Sequence, residues 1–250
     1  MLLVTAHPDD ESLFFGPTIQ TLRRMGAQVH ILCLSNGGAE GLGARRTKEL
    51  EDVSSYLGIT SLKVVDDPFL RDGFKESWPM EVTALHVEES VRRCRADVVL
   101  TFDEGGVSGH PNHTATYRGV LFWMSNSEIE DTAASDENDA ASWTKLNQGS
   151  MSLLNSVTRK QKRSNSKLQT QVWVLVSTNV VRKFLMMADV FVSFFLLERS
   201  NAHLAASNPT QLVRAMRMHK SQWVWYRKLF ILFSRYSYVN TLRPLGNRAL

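Results

Sequence analysis

Cysteine is scarce in this chain of 250 residues. Cys33 lies in an apolar run and Cys94 in a basic segment. The two form neither a disulfide framework nor a C-x-x-C ligand pair, so a reducing, cytosol-facing setting is expected. Long apolar runs are missing as well. The longest, Phe184–Leu197, has 14 residues and includes Asp189. A spanning helix needs about 20, so a core or interfacial helix is expected there instead. Met1 leads directly into an apolar strand, which leaves no secretory leader to be read. Acidic residues stop at Glu198: residues 1–125 hold 12 basic and 17 acidic side chains, residues 126–250 hold 17 and 8. That asymmetry either turns the carboxyl-terminal part toward an anionic partner or merely solvates a basic face. Lipid headgroups and phosphorylated substrate suit it better than nucleic acid, because no nucleic-acid-binding motif accompanies the charge.

The hydrophobic fraction, 43%, is that of a globular chain, and this length is most simply one domain. The first half alternates. Apolar strands are expected at Met1–Thr5, Gln28–Ser35, Ser61–Val65 and Asp97–Phe102. Helical sequence separates them at Leu13–Met25, Ala44–Leu57 (with Gly58 as its cap) and Met80–Arg95. Such alternation predicts an α/β, Rossmann-like fold, a mainly parallel sheet with helices on both faces. Residues 126–171, first acidic and then basic, are dominated by Ser, Asn, Asp, Glu, Thr and Lys. They are expected to form a disordered insertion in a single domain, with at most a short helix near Met151–Leu154. The sheet resumes at Val172–Val176, and a basic helical extension is expected to run to the end.

Two stretches carry chemistry. The first strand ends in His7-Pro8-Asp9-Asp10-Glu11, and the fourth leads through a Gly-rich turn, Gly105–Gly109, into His110-Pro111-Asn112-His113. In open α/β sheets ligands bind at the carboxyl ends of strands. Pro8 pushes His7 toward an extended conformation, so His7 and Asp10 can turn back to one point with Asp9 beside them. Pro111 suits the first turn of a helix, and residues 110 and 113, three apart, share one side of that turn. Three N/O ligands with an open position are the pattern of a catalytic zinc site. A carboxylate next to the ligands can take the proton of a metal-bound water, and a cationic imidazole can stabilise an oxyanion.

These motifs resemble the LmbE-like superfamily of zinc-dependent N-acetylglucosamine deacetylases, and more closely its PIG-L branch, which acts on N-acetylglucosaminylphosphatidylinositol. Ser12–Ile19, Leu32–Ser35, Thr101–His110, Ser221-Gln222-Trp223 and Ser234-Arg235-Tyr236 support the likeness. It covers residues 1–125 and 172–242. The resemblance implies that His7, Asp10 and His113 hold the metal, Asp9 is the general base and His110 stabilises the oxyanion. It places Arg46, Asp72 and His219 near the substrate, although a helix-surface charge and an Asp-Gly turn explain the first two equally well. It further implies zinc or another divalent metal. The implied partner is a glycolipid at the cytosolic face of the endoplasmic reticulum membrane, in the synthesis of glycosylphosphatidylinositol (GPI) anchors.

Membrane members of that branch usually have a spanning helix ahead of the first strand, so either the sequence begins late or attachment is through another surface. Leu212, Met216, His219, Trp223, Tyr226, Phe230 and Phe233 recur at helical spacing, with Arg214, Arg217, Lys220, Arg227, Lys228 and Arg235 around them. They form either a headgroup-facing surface or a core helix with a basic outer side. Two other functions stay open: a soluble deacetylase of another N-acetylglucosaminyl conjugate, and a non-catalytic glycan- or phosphoinositide-binding relative. A binding module has no need of the Asp9 and His110 pair, which favours an enzyme. The single Asn-x-Ser/Thr sequon, Asn112-His113-Thr114, falls inside the expected metal site. A glycan there would obstruct the site, so a cytosolic face is expected.

Overall fold

The computed structural model describes residues 1–133, 170–184, 203–206 and 208–245. The expected helix near Met151–Leu154 lies outside these residues, as does the run Phe184–Leu197 apart from Phe184. Contacts divide the chain into a large unit, residues 1–123 and 170–250, and a second, residues 124–169.

Among the described residues, seven strands belong to the large unit. They are β1 (Leu2–Thr5), β2 (His30–Cys33), β3 (Ser61–Val64), β4 (Val98–Phe102), β5 (Gln171–Leu175), β6 (His203–Ala206) and β7 (Val239–Pro244). They make one sheet in the order β3-β2-β1-β4-β5-β7-β6. The first five are parallel, with Leu2 opposite both His30 and Val99. All of β1 and β2 is buried, which requires cover on both faces and explains why these strands are unbroken apolar runs. The chain moves from β1 to one side for β2 and β3, then crosses to the other for β4 and β5. The switch point therefore lies between β1 and β4, where both motifs emerge.

The helices are α1 (Asp10–Leu13), α2 (Gly16–Arg24), α3 (Gly43–Leu57), α4 (Met80–Cys94), the irregular turn α5 (Gly106–Gly109), α6 (Pro111–Ala133), α7 (Val180–Lys183), α8 (Pro209–Met218) and α9 (Trp225–Phe233). On α3, Leu50, Val53 and Leu57 share one buried face, each contributing about 1.5–3 kcal/mol by burial. Gly58 caps that helix in the left-handed region, φ 70°. No helix among the described residues is long and apolar enough to cross a membrane.

Three elements differ from expectation. The helix foreseen at Leu13–Met25 begins only at Gly16, as α2, after the short α1 ends at Leu13, because Pro17 lacks the N–H that would bond to Leu13. Asn240 fills the gap: its Nδ2 donates to Phe14 O (2.8 Å), and its Oδ1 accepts from Thr18 N–H (3.2 Å) and Oγ1 (2.8 Å). Helix α6 continues through Ala133, into the stretch expected to be loop. The carboxyl-terminal part is not helical throughout, since β6 and β7 add an antiparallel edge, with β7 between β5 and β6. Neither strand announces itself: β6 is His-Leu-Ala-Ala, and β7 contains Asn, Arg and a terminal Pro, all poor strand signals.

Asn240 thus ties the last strand to the first helices. Replacing it by Ala leaves Phe14 O and the Thr18 donors unpartnered in a buried site, which should cost roughly 2–4 kcal/mol. Urea unfolding of Asn240→Ala should show a lower midpoint with unchanged slope. An unchanged midpoint would show that the junction does not depend on this side chain.

Candidate metal centre

The turn after β1 is held in an unusual shape. Asp9 has φ 130° and ψ −18°, outside the regions a non-glycine residue adopts without strain. Arg46, reaching over from α3, fixes the turn by donating from Nη2 to Pro8 O (2.9 Å) and from Nη1 to Gly37 O (2.9 Å). Glu11 accepts the Asp9 N–H (3.1 Å). As a result Asp10 folds back, and its Oδ2 accepts from the backbone N–H of Ala6 (3.0 Å) and His7 (2.8 Å). Asp10 Oδ2 also faces His7 Nδ1 at 3.8 Å, while Oδ1 faces His113 Nε2 at 3.2 Å.

The turn after β4 supplies the other half. Val107, with φ 60°, is a β-branched residue in the left-handed region. Its N–H donates to Ser177 Oγ (2.8 Å), which itself donates to Asp103, so the ends of β4 and β5 are stitched together there. Gly106 also sits at positive φ, and a Cβ there would lie 2.9 Å from His113 Cβ. His113 turns Nδ1 to Gly106 O (2.9 Å) and Ser108 Oγ (3.1 Å), and Phe102 stacks on its ring at 4.2 Å. These contacts fix the ring, with Nε2 left to face Asp10. His110, extended before Pro111, has its ring 5.2 Å from His113 and 4.7 Å from His7.

His7, His110 and His113 therefore offer ring nitrogens that all lie within 4.8 Å of one another, a grouping that can hold a metal ion. The Asp10 carboxylate stands between His7 and His113, so the expected set of two imidazoles and one carboxylate is also brought together. This buried donor set of nitrogens and oxygens fits a divalent metal.

The charges follow from burial and partners. Burial works against ionised Asp10, but His113 and His7 outweigh it and hold the carboxyl well below the usual range. Burial pushes Asp9 up, and Arg227 and Arg46 offset this only in part. Arg227 Nη2 stands 3.2 Å from Asp9 Oδ2, and Arg46 Nη2 stands 3.4 Å from Oδ1. Burial and the neighbouring His7 and His113 press His110 down to about 4. That lowering favours the neutral His110 imidazole over the cation. Its Nδ1 accepts from Asn112 N–H (3.2 Å), which leaves Nε2–H as a donor.

The remaining expected residues separate. Arg46 is buried in the site, not a helix-surface charge, and Asp72 joins it (Arg46 Nη1 to Oδ2, 3.2 Å) while reaching His7 Nε2 at 3.1 Å. Burial works to raise Asp72, but His7 and Arg46 bring it down to about 2. His219 is fully buried, and its Nε2 lies 2.6 Å from Glu11 Oε1, beneath the Asp9 turn. Sequence reasoning missed two participants. Asn112, fully buried, presents Oδ1 to His7 Nε2 and accepts from Gly73 N–H, both at 3.1 Å. Its place between the two histidines of the motif was the available signal. Arg227 carried none, being grouped with surface cations; Arg235, from the same group, is fully buried.

The fold is shared with solved deacetylases. N,N'-diacetylchitobiose deacetylase from Pyrococcus horikoshii superposes with a TM-score of 0.60 at 17% identity, covering 98% of this chain and 82% of that one. The family profile described as PIG-L: GlcNAc-PI de-N-acetylase matches residues 2–124. The probable N-acetylglucosaminyl-phosphatidylinositol de-N-acetylase of Schizosaccharomyces pombe is 35% identical, covering 97% of this chain and 86% of its own length. The corresponding de-N-acetylase of Bos taurus is 33% identical, covering 98% of this chain and 83% of its own. The chain belongs to the PIG-L family, as the two motifs indicated.

The His219–Glu11 contact yields a pH test. Burial works against the His219 imidazolium, but Glu11 and Asp9 raise its pKa above the ordinary 6.5. A raised folded pKa means that the pair stabilises fully below about pH 6.5 and loses this as pH rises through the folded value. His219→Gln should therefore be less stable than wild type by about 3 kcal/mol near pH 6, a gap that narrows toward pH 9. Thermal unfolding across that range measures it, and a constant gap would show that His219 is not charged in the fold.

Proposed function

We propose that this protein is a metal-dependent hydrolase that removes the acetyl group from N-acetylglucosaminylphosphatidylinositol, giving glucosaminylphosphatidylinositol and acetate, a step in GPI-anchor synthesis. One observation carries this reading. In a chain matched over nearly its whole length by de-N-acetylases of that substrate, a buried carboxylate of raised pKa, Asp9, adjoins the cluster of His7, Asp10 and His113. His7, Asp10 and His113 would hold the metal, with zinc as the first candidate and iron, manganese or cobalt compatible with the same donors. When bound, such an ion acidifies a water and polarises the acetyl carbonyl. Asp9 takes the proton from the attacking water and delivers it to the departing amine nitrogen. Its raised pKa suits both halves of that transfer. His110, neutral, donates from Nε2–H to the oxygen on which charge develops. Arg46 and Asp72 border the cluster and are assigned to the sugar. His219, locked to Glu11, would act on substrate only through the Asp9–Glu11 turn.

A glycolipid substrate puts the protein at a membrane surface, here assigned to the cytosolic face of the endoplasmic reticulum. The complete burial of Asn112 beside His7 supports a compartment in which its sequon is not glycosylated.

The test separates binding from chemistry. Metal-loaded protein should release acetate from N-acetylglucosaminylphosphatidylinositol. Asp9→Ala should keep its metal by elemental analysis and lose turnover by roughly a hundredfold or more. His113→Ala should lose the metal. Wild-type turnover in Asp9→Ala would remove Asp9 as the base, and full metal in His113→Ala would remove that residue from the ligand set.

A further inference from the structure

Helix α9 has two faces of different purpose. Inward, Arg227 meets Asp9, Ile231 is buried, and the Phe230 ring lies 5.6 Å from Phe14, itself 5.6 Å from His113. Outward, Trp225, Tyr226, Leu229, Leu232 and Phe233 are each at least 42% exposed, at the spacing of one helical face. Five large apolar side chains left in water on nine residues mark an interaction site. Four α9 residues, Tyr226, Leu229, Phe230 and Phe233, join Phe184 to line a groove of about 440 Å³. Phe230 thus connects the groove to the histidine cluster through a single intervening ring.

The surroundings say what enters it. No acidic residue follows Glu198, so two copies meeting by this face would bring like charge together. Lys228 and Arg217 lie over the Trp223 ring at 5.4 and 5.8 Å, and cations mixed with Trp and Tyr suit a lipid headgroup zone. Between groove and cluster, Lys183 Nζ lies 5.3 Å over the Phe230 ring and donates to Val107 O (3.2 Å), in the loop leading to His110. It has no carboxylate partner among the described residues, and burial lowers its pKa. A cation so placed suits a phosphodiester.

We propose that the groove between Phe184 and α9 seats an acyl chain of the phospholipid substrate, with the phosphodiester at Lys183 and the sugar at the histidine cluster. This rests on the deacetylase reading above and adds the site for the lipid portion.

The experiment uses the full metal-loaded chain and the double substitution Leu229→Ser with Phe233→Ser, two half-exposed positions whose replacement leaves the core intact. The substrates are a short-chain N-acetylglucosaminylphosphatidylinositol kept below its micellar concentration and its deacylated, water-soluble headgroup. The variant should lose about tenfold in kcat/KM on the lipid, equivalent to about 1.4 kcal/mol, and nothing on the headgroup. A short-chain phosphatidylinositol with a diazirine on its acyl chain should crosslink to α9 in wild type and not in the variant. Equal loss on both substrates, no loss on either, or crosslinking elsewhere would overturn the proposal. So would a variant that changes only the sedimentation of the protein, since that assigns the face to a second copy. A wild type that cleaves neither substrate but still crosslinks at α9 would defeat the deacetylase reading and leave the lipid groove standing.

Discussion

The Asp10 carboxylate is the constraint on which the rest of the site depends. It is buried, and it stays ionised because two backbone amides and two imidazoles surround it. One oxygen is aimed at His113 and the other at His7 and its own turn. A buried carboxylate without those partners would take up a proton. The ends of β1 and β4 must therefore stay in register, because each delivers one of the histidines. The fully buried pairing of these strands, Leu2 with Val99 and Leu3 with Leu100, secures that alignment over the whole domain.

The turns that follow β1 and β4 are both strained. Asp9 and Val107, at the ends of the two central strands, both have positive φ, and each such residue costs on the order of 1–3 kcal/mol. The two carboxylates meet different partners, Arg46 and Arg227 for Asp9 and His7 and His113 for Asp10. Asp10 is drawn down by histidines, whereas Asp9 is raised by burial with two guanidinium groups only partly opposing. The environments thus push the pKa values of two neighbouring acids apart.

The carboxyl-terminal segment serves the site from the far end of the chain. Asn240 mends the break between α1 and α2, His219 braces Glu11, Ser221 donates its N–H to Glu49 of α3 (2.9 Å), and Arg227 faces Asp9. A stretch that looks in sequence like one amphipathic helix is in fact α8, a 3-10 turn at Lys220–Gln222, and α9. The division is what allows Leu212, Met216 and His219 to be buried while Tyr226 and Phe233 stay outside.

The sequence by itself determined the parallel half of the sheet and the two motifs that meet at the site. Val4 through Asp10 and Phe102 through His113 are local units, in which an apolar run, a Pro and a set of ligand side chains specify strand, turn and chemistry within a few residues. Their meeting was legible too, because alternation of strands and helices leaves few topologies. What tertiary structure alone decided was anything requiring two distant segments to touch. Arg46 and Arg227 are both basic residues in helices with many basic neighbours, and nothing local marks them as the pair that closes on Asp9. His110 is spelled identically in any setting; the lowering of its pKa follows from burial and from two other imidazoles. The antiparallel edge formed by β6 and β7 escaped detection because its residues are poor strand formers, held in the sheet by pairing with β5 and with each other. Local propensity is written in neighbouring residues, whereas ionisation, ion pairing and edge-strand addition are set by the field and partners that only the folded chain supplies.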